Sequence, residues 1–186
     1  MKHPLFLTFL LILPLTSCVS HWKVIRASNP NPIVGHQWFK MTTIDYSQLN
    51  VDNTPEAIFT AKMDAFQLED WQADKKAIQS NFALAFQVYT GEYSIQLGDA
   101  GDYTLRPSIM SIETGPYQFP AHLAVARIHM RLEIIDTTGK TVDEIWMSPE
   151  FPWDFFNSKR GSRLRELATQ LGTRAGQYLV SRAVQR

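Results

Sequence analysis

The sequence predicts an α+β domain, an antiparallel sheet of about four strands with two helices packed on one of its faces. Three observations carry this. Leu123 to Ile135 alternate apolar and polar residues, the period of a strand with one buried and one wet face. Asp70 to Tyr89 and Ser162 to Ala183 repeat apolar residues every three or four positions, the period of a helix with one buried stripe. The strands are grouped rather than alternating with helices, which favours α+β over a doubly wound sheet.

Trp38 to Tyr46 reads as the first strand, mixing aromatic, Thr and Ile residues with rough alternation. Thr54-Pro55-Glu56 reads as a helix start, with Thr as N-cap and Pro at the first helical position. Ile58, Phe59, Met63 and Phe66 keep a helical spacing beyond it, over a short segment. The helix from Asp70 carries Trp71, Ile78, Phe82, Ala85, Phe86 and Tyr89 on one stripe and stops at Gly91. Gly98 to Asp102 is a turn. Tyr103 to Glu113 follows as a strand, in which Pro107 requires an edge position or a bulge.

The regular strand places Ala124, Ala126, Ile128, Met130, Leu132 and Ile134 on the core face. Arg127, His129, Arg131 and Glu133 then lie on the other face. Asp136 to Lys140 is a turn and Thr141 to Met147 the returning strand of a hairpin. In the last helix Leu164, Leu167, Ala168, Leu171, Ala175, Tyr178, Leu179 and Ala183 form the buried stripe. Arg163, Arg165, Arg174 and Arg182 are assigned to its solvated side.

The N-terminus has a different character. Lys2 precedes an apolar run from Leu5 to Leu15, too short to span a bilayer and interrupted by Pro14. This is the layout of a secretory signal peptide. Its end, Leu15-Thr16-Ser17-Cys18, resembles the lipobox of bacterial lipoproteins. The resemblance implies cleavage before Cys18, acyl chains on that residue and a membrane as the first partner. Val19, rather than an aspartate, after the cysteine resembles the default sorting to the outer membrane, facing the periplasm. The expected organisation is a signal peptide over 1–17, a tether over 18–33 and one α+β domain over 34–186. The tether reading rests on Ser28-Asn29-Pro30-Asn31-Pro32, and some 14 extended residues would reach about 50 Å. The order of elements and the strand–Asp-x-x-Gly–strand segment at Asp136 to Gly139 also resemble small uncharacterised outer-membrane lipoproteins with an α+β accessory-type domain. No site residue comes with that resemblance.

Composition narrows the function. Lys plus Arg number 18 and Asp plus Glu 18, so the chain lacks the basic footprint of a nucleic-acid binder. Hydrophobic residues make up 45%, enough for a sizeable core. Cys18 is the single cysteine, so no disulfide framework supports the fold. No phosphate loop, nucleophile elbow or zinc motif occurs. His122 and His129, seven apart, fall on opposite faces of one strand and do not make a metal site. Asp99, Asp102 and Glu92 are explained by turn chemistry. No cofactor is expected, and catalysis is not.

The candidate partner surface has two parts. Tyr117, Phe119, Trp153, Phe155 and Phe156 lie in two proline-containing connections that a three-strand meander would bring to one end of the sheet. Arg127, His129 and Arg131 would form a cationic strip on the open face. The function expected is a membrane-anchored envelope module that binds or helps assemble another envelope protein. A carrier of lipid or peptidoglycan fragments, with a pocket between sheet and helices, remains the alternative, and a hydrolytic enzyme stands behind it.

Overall fold

The computed structural model describes residues 21–115, 125–152 and 159–184. Its centre is the predicted meander. β6 (Tyr103–Glu113), β7 (Val125–Asp136) and β8 (Thr141–Met147) pair antiparallel in sequence order. The alternation in β7 does what it predicts: Ala126, Ile128, Met130, Leu132 and Ile134 are buried. The turn between β7 and β8 is held by Asp136, whose Oδ1 accepts from Thr138 N at 2.9 Å, Thr138 Oγ1 at 2.6 Å and Lys140 N at 3.0 Å. These bonds, led by the Thr138 hydroxyl, hold the Asp136 carboxyl below its ordinary pKa.

Pro107 is accommodated without an edge. Its carbonyl accepts from Asp45 N at 2.9 Å, so its missing N–H falls on that irregular side and not in the β7 ladder. A bulge does occur, between Ile109 and Ser111. It shifts the alternation so that Ile109 and Ile112 both face the core.

The antiparallel sheet of about four strands is overturned. Among the described residues the chain forms one mixed sheet of nine strands, with three helices. With β1 (Lys23–Ala27), β2 (Trp38–Met41) and β5 (Gln96–Gly98) added, its main path runs β1-β8-β7-β6-β2-β5. β2 (Trp38–Met41) lies parallel to both β6 and β5 (Gln96–Gly98). The chain from β2 to β5 contains a long helix, the crossover that parallel neighbours require. The remaining strands are stubs: β3 (Asn50–Val51), β4 (Thr54–Pro55) and β9 (Glu150–Pro152). Thr54 and Pro55 pair with β3 before the short α1 (Glu56–Thr60) begins, so Pro55 takes the N-cap position expected of Thr54.

Part of the segment read as a tether belongs to the sheet. Lys23–Ala27 is a strand, β1, paired antiparallel with β8. Trp22 packs edge-on against Tyr178, and Ile33 is fully buried. The sheet therefore begins inside the segment assigned to 18–33.

The crossover helix α2 (Ala65–Gly91) starts at a capping box, Asp64 accepting from Gln67 N at 2.8 Å and Gln67 accepting from Asp64 N at 3.1 Å. It buries Trp71, Ile78, Phe82 and Phe86. Glu56 ties α1 to it by accepting from Trp71 Nε1 at 2.7 Å and Lys75 Nζ at 2.6 Å. The last helix, α3 (Arg160–Ala183), lies against β7, and α2 packs on α3. Small residues make that contact close. A Cβ on Gly172 would collide with the Phe82 carbonyl oxygen, and one on Gly176 would come within 2.9 Å of the Tyr89 ring.

Two arginines assigned to the solvated side of α3 are not there. Arg182 donates from Nε to Asp143 Oδ2 at 2.6 Å and from Nη2 to Oδ1 at 3.1 Å, and Asp143 is fully buried. Arg163 is 3% exposed. No helix among the described residues is long and apolar enough to cross a membrane.

Candidate functional site

Arg127, His129 and Arg131 do stand together on the face of β7 turned away from α3. Each meets partners from its own sheet. Arg127 donates from Nη1 to Glu113 on β6 at 3.0 Å and from Nε to Glu150 on β9 at 2.7 Å. The bond to Glu150 raises the arginine's pKa and holds that carboxyl below its ordinary value. Arg131 Nη2 lies 3.6 Å from Glu133 Oε2, an oxygen that Arg106 holds at 3.0 and 2.9 Å. The strip is a self-neutralised network rather than an open cationic surface.

His129 sits within this network. Ser148 Oγ lies 2.5 Å from its Nδ1, and Glu113 Oε1 lies 3.4 Å from its Nε2. A hydroxyl, an imidazole and a carboxylate in line have the connectivity of an activated nucleophile. The geometry departs from it, because 3.4 Å is beyond the usual N–H···O range. Glu113 is also shared with Arg127, which offsets its charge.

The other half of the expected surface is an end of the sheet. β6 finishes at Glu113 opposite Arg127, and β9 pairs back onto Val125–Arg127. β8 finishes at Met147, and β1 starts with Lys23 opposite Trp146. The connections 116–124 and 153–158 therefore join the described chain at one end, where the N-terminal segment also meets the sheet. The Asp136–Lys140 turn lies at the other end. Tyr117, Phe119, Trp153, Phe155, Phe156 and Cys18 lie outside the described residues.

α3 starts at the same end. Arg160 donates from Nε to Asp74 on α2 at 2.9 Å and lies 5.5 Å over the Trp71 ring. Beside it opens a cavity of about 620 Å³. Thr114 and Gly115 line it from the end of β6, Asp70 and Asp74 from α2, and Lys159, Arg160, Arg163 and Arg165 from the start of α3. Arg163 Nε and Nη1 are buried without a hydrogen-bond partner among the described residues. Burial lowers the pKa of this guanidinium.

Sequence reasoning missed Arg163, although a signal existed. Arg163, Leu167, Leu171 and Ala175 follow one another at intervals of four, so the arginine lies on the buried stripe itself. Its charge had argued for solvent.

No protein-family model matches the sequence, and no curated protein matches it. Solved structures with a similar chain path include PelC from Paraburkholderia phytofirmans, determined as a dodecamer. It is 11% identical over 82% of this chain and 96% of that one, with a TM-score of 0.45. A DUF330 protein from Xanthomonas campestris is 13% identical over 84% and 91%, with a TM-score of 0.47. A minor lipoprotein from Acinetobacter baumannii is 14% identical over 76% and 94%, with a TM-score of 0.40. These are likenesses of chain path, and no function is taken from them.

Proposed function

We propose that this chain is a lipid-anchored module of the bacterial envelope that binds another envelope protein through the end of its sheet bearing the 116–124 and 153–158 connections. The anchor is Cys18, the membrane is the outer membrane, and the domain faces the periplasm. The domain acts as a binder, without a cofactor, rather than as a catalyst. The observation that carries the reading is convergence. The start of β1, the described residues that flank 116–124 and 153–158, and the start of α3 lie at one end of the sheet. A partner gripped there is close to the anchored bilayer, and stiff aromatic side chains suit such recognition. The carrier alternative needs space between sheet and helix. That layer is filled by Ile128, Met130, Leu132, Leu167 and Leu171, none more than 1% exposed, which favours the partner reading.

Site-specific photo-cross-linking in intact cells tests this. A cross-linker at Thr114 is expected to capture one defined protein, and one at Lys140 is not. Trp153→Ala or Tyr117→Ala should abolish the Thr114 product with an unchanged circular dichroism spectrum. Equal capture from both ends, or capture indifferent to both substitutions, sinks the assignment. Cys18→Ala should abolish fatty-acid labelling and release the protein from the membrane fraction. Continued attachment removes the anchor.

A further inference from the structure

We infer that the cavity at the start of α3 is a binding site for a phosphoryl group, with Arg163 as its principal ligand. The inference does not rest on lipid at Cys18, and its failure would leave the partner reading standing.

The first ground is Arg163 itself. A guanidinium that is 3% exposed with Nε and Nη1 unpartnered is an unfavourable arrangement for a folded chain. Two other arginines of α3 are paired: Arg182 has Asp143, and Arg160 has Asp74. Arg163 has no such ion pair among the described residues, and it borders the cavity. An anion there, met by a small shift of the side chain, would supply the missing acceptors in the forked geometry that guanidinium groups share with phosphate oxygens.

The second ground is the helix start. The first-turn N–H groups of α3 point toward its N-terminus and carry the positive end of the helix dipole. Acidic residues normally occupy such a turn, but α3 has none there, and its N-cap Lys159 provides no side-chain cap. Lys159, Arg160, Arg163 and Arg165 instead add four cations around a positive helix end. Among the described residues, the two carboxylates on the cavity wall do not balance them. Asp74 is engaged by Arg160, leaving Asp70 against the rest. Helix N-termini with a basic surround are phosphate sites in many folds.

The third ground is size and place. A cavity of about 620 Å³ exceeds what a bare phosphate fills, so the phosphoryl group can belong to a larger molecule. The cavity opens at the end where the chain emerges toward Cys18. A phospholipid headgroup and a free phosphate share the chemistry, and the experiment separates them.

The test uses full-length protein in an uncharged detergent, with the arginine Nε–H resonances followed by NMR. Sodium phosphate and dihexanoyl phosphatidylglycerol are added separately, with sodium chloride of equal ionic strength as the control. A saturable shift of the Arg163 Nε–H signal, absent with chloride, is expected from at least one of them. Response to the lipid alone identifies a headgroup site, response to phosphate alone a free-phosphate site, and competition between them a common site. At a hundredfold excess over Kd the melting temperature should rise by roughly 5–10 °C. In Arg163→Met the ligand-dependent rise should vanish, while the ligand-free protein melts no lower than wild type, because an unpaired buried charge has gone. A wild type silent to both probes overturns the proposal. So does an Arg163→Met protein that binds normally, or one that melts far lower, which would mark Arg163 as structurally paired.

Discussion

Asp143→Ala is the perturbation that the structure converts most directly into a magnitude. The Asp143 carboxylate is fully buried on the helix-facing side of β8. It accepts from Tyr178 Oη at 2.9 Å, Arg182 Nε at 2.6 Å, Arg182 Nη2 at 3.1 Å and Ser28 N at 2.9 Å. Truncation leaves Tyr178 Oη and Arg182 Nε short of an acceptor, the second in a guanidinium whose side chain is 16% exposed, while Ser28 N keeps the Val142 carbonyl at 3.1 Å. Removing one member of a buried ion pair costs about 3–5 kcal/mol. Arg182 Nη2 keeps the Ser28 carbonyl at 3.0 Å, which argues for the lower part of that range. About 3–4 kcal/mol in a domain of this size is a fall of roughly 6–16 °C in melting temperature. The assay is urea unfolding followed by far-ultraviolet circular dichroism, on wild type, Asp143→Ala, Arg182→Ala and the double variant. The double variant should be less damaged than the two single losses added together, because the second truncation removes a charge already stranded. A single-variant loss below about 1 kcal/mol, or strict additivity, would refute the reasoning. The same variant should loosen β1, since Ser28 is held by both residues; faster amide exchange over 23–28 would show it.

Three further outcomes follow from other parts of the molecule. Gly172→Ala should destabilise by about 1–3 kcal/mol in the same urea assay, because the added methyl meets the Phe82 carbonyl oxygen and Ala85 across the α2–α3 contact. Glu150 should titrate below its ordinary value by carboxyl NMR, since Arg127 bonds to its ionised form, and Arg127→Gln should return it to normal. A depressed folded-state pKa means that this bond's contribution is present above the unfolded value and is lost as the pH falls through the folded one. The loosening of β9 is therefore expected on the acid side, below about pH 4.5, and a loss on the alkaline side would contradict it. Glu56→Gln should weaken the attachment of α1 to α2 by removing the charged partner of Lys75, visible as faster amide exchange over 56–60 with α2 unchanged.

Long periodic segments were legible in the sequence, and short or non-local features were not. The bounds of β6 are those read from the residues, and the β7–β8 hairpin and both helix stripes are where the periodicity puts them. Strands β3, β4, β5 and β9 have two or three residues each, too few to display a period of two. β1 is exposed along its whole length, so no alternation marks it, and Ser28-Asn29-Pro30-Asn31-Pro32 suggested a free tether. The parallel placement of β2 depends on a crossover that no local pattern encodes. At the candidate surface, alternation along β7 put Arg127, His129 and Arg131 on the open face. Their partners Glu113 and Glu150 come from neighbouring strands and needed the register. Arg163 was lost to a rule of thumb, that arginine on a helix faces water, against its own spacing.

The pairing of β1 with β8 sets a length scale for the whole protein. If Cys18 carries the proposed lipid, no more than five residues separate it from the sheet at Lys23, at most some 17 Å. The domain would then sample a thin shell over the bilayer rather than the volume that a longer leash would sweep. Confinement of this kind raises the effective concentration toward anything else held in the same membrane, to the order of millimolar for short linkers. It gives almost no advantage to a partner in free solution. On the proposed anchor, the bonds that hold Ser28 to Asp143 and Arg182 would work as a leash-shortener, biasing the module toward neighbours that diffuse in the same two dimensions.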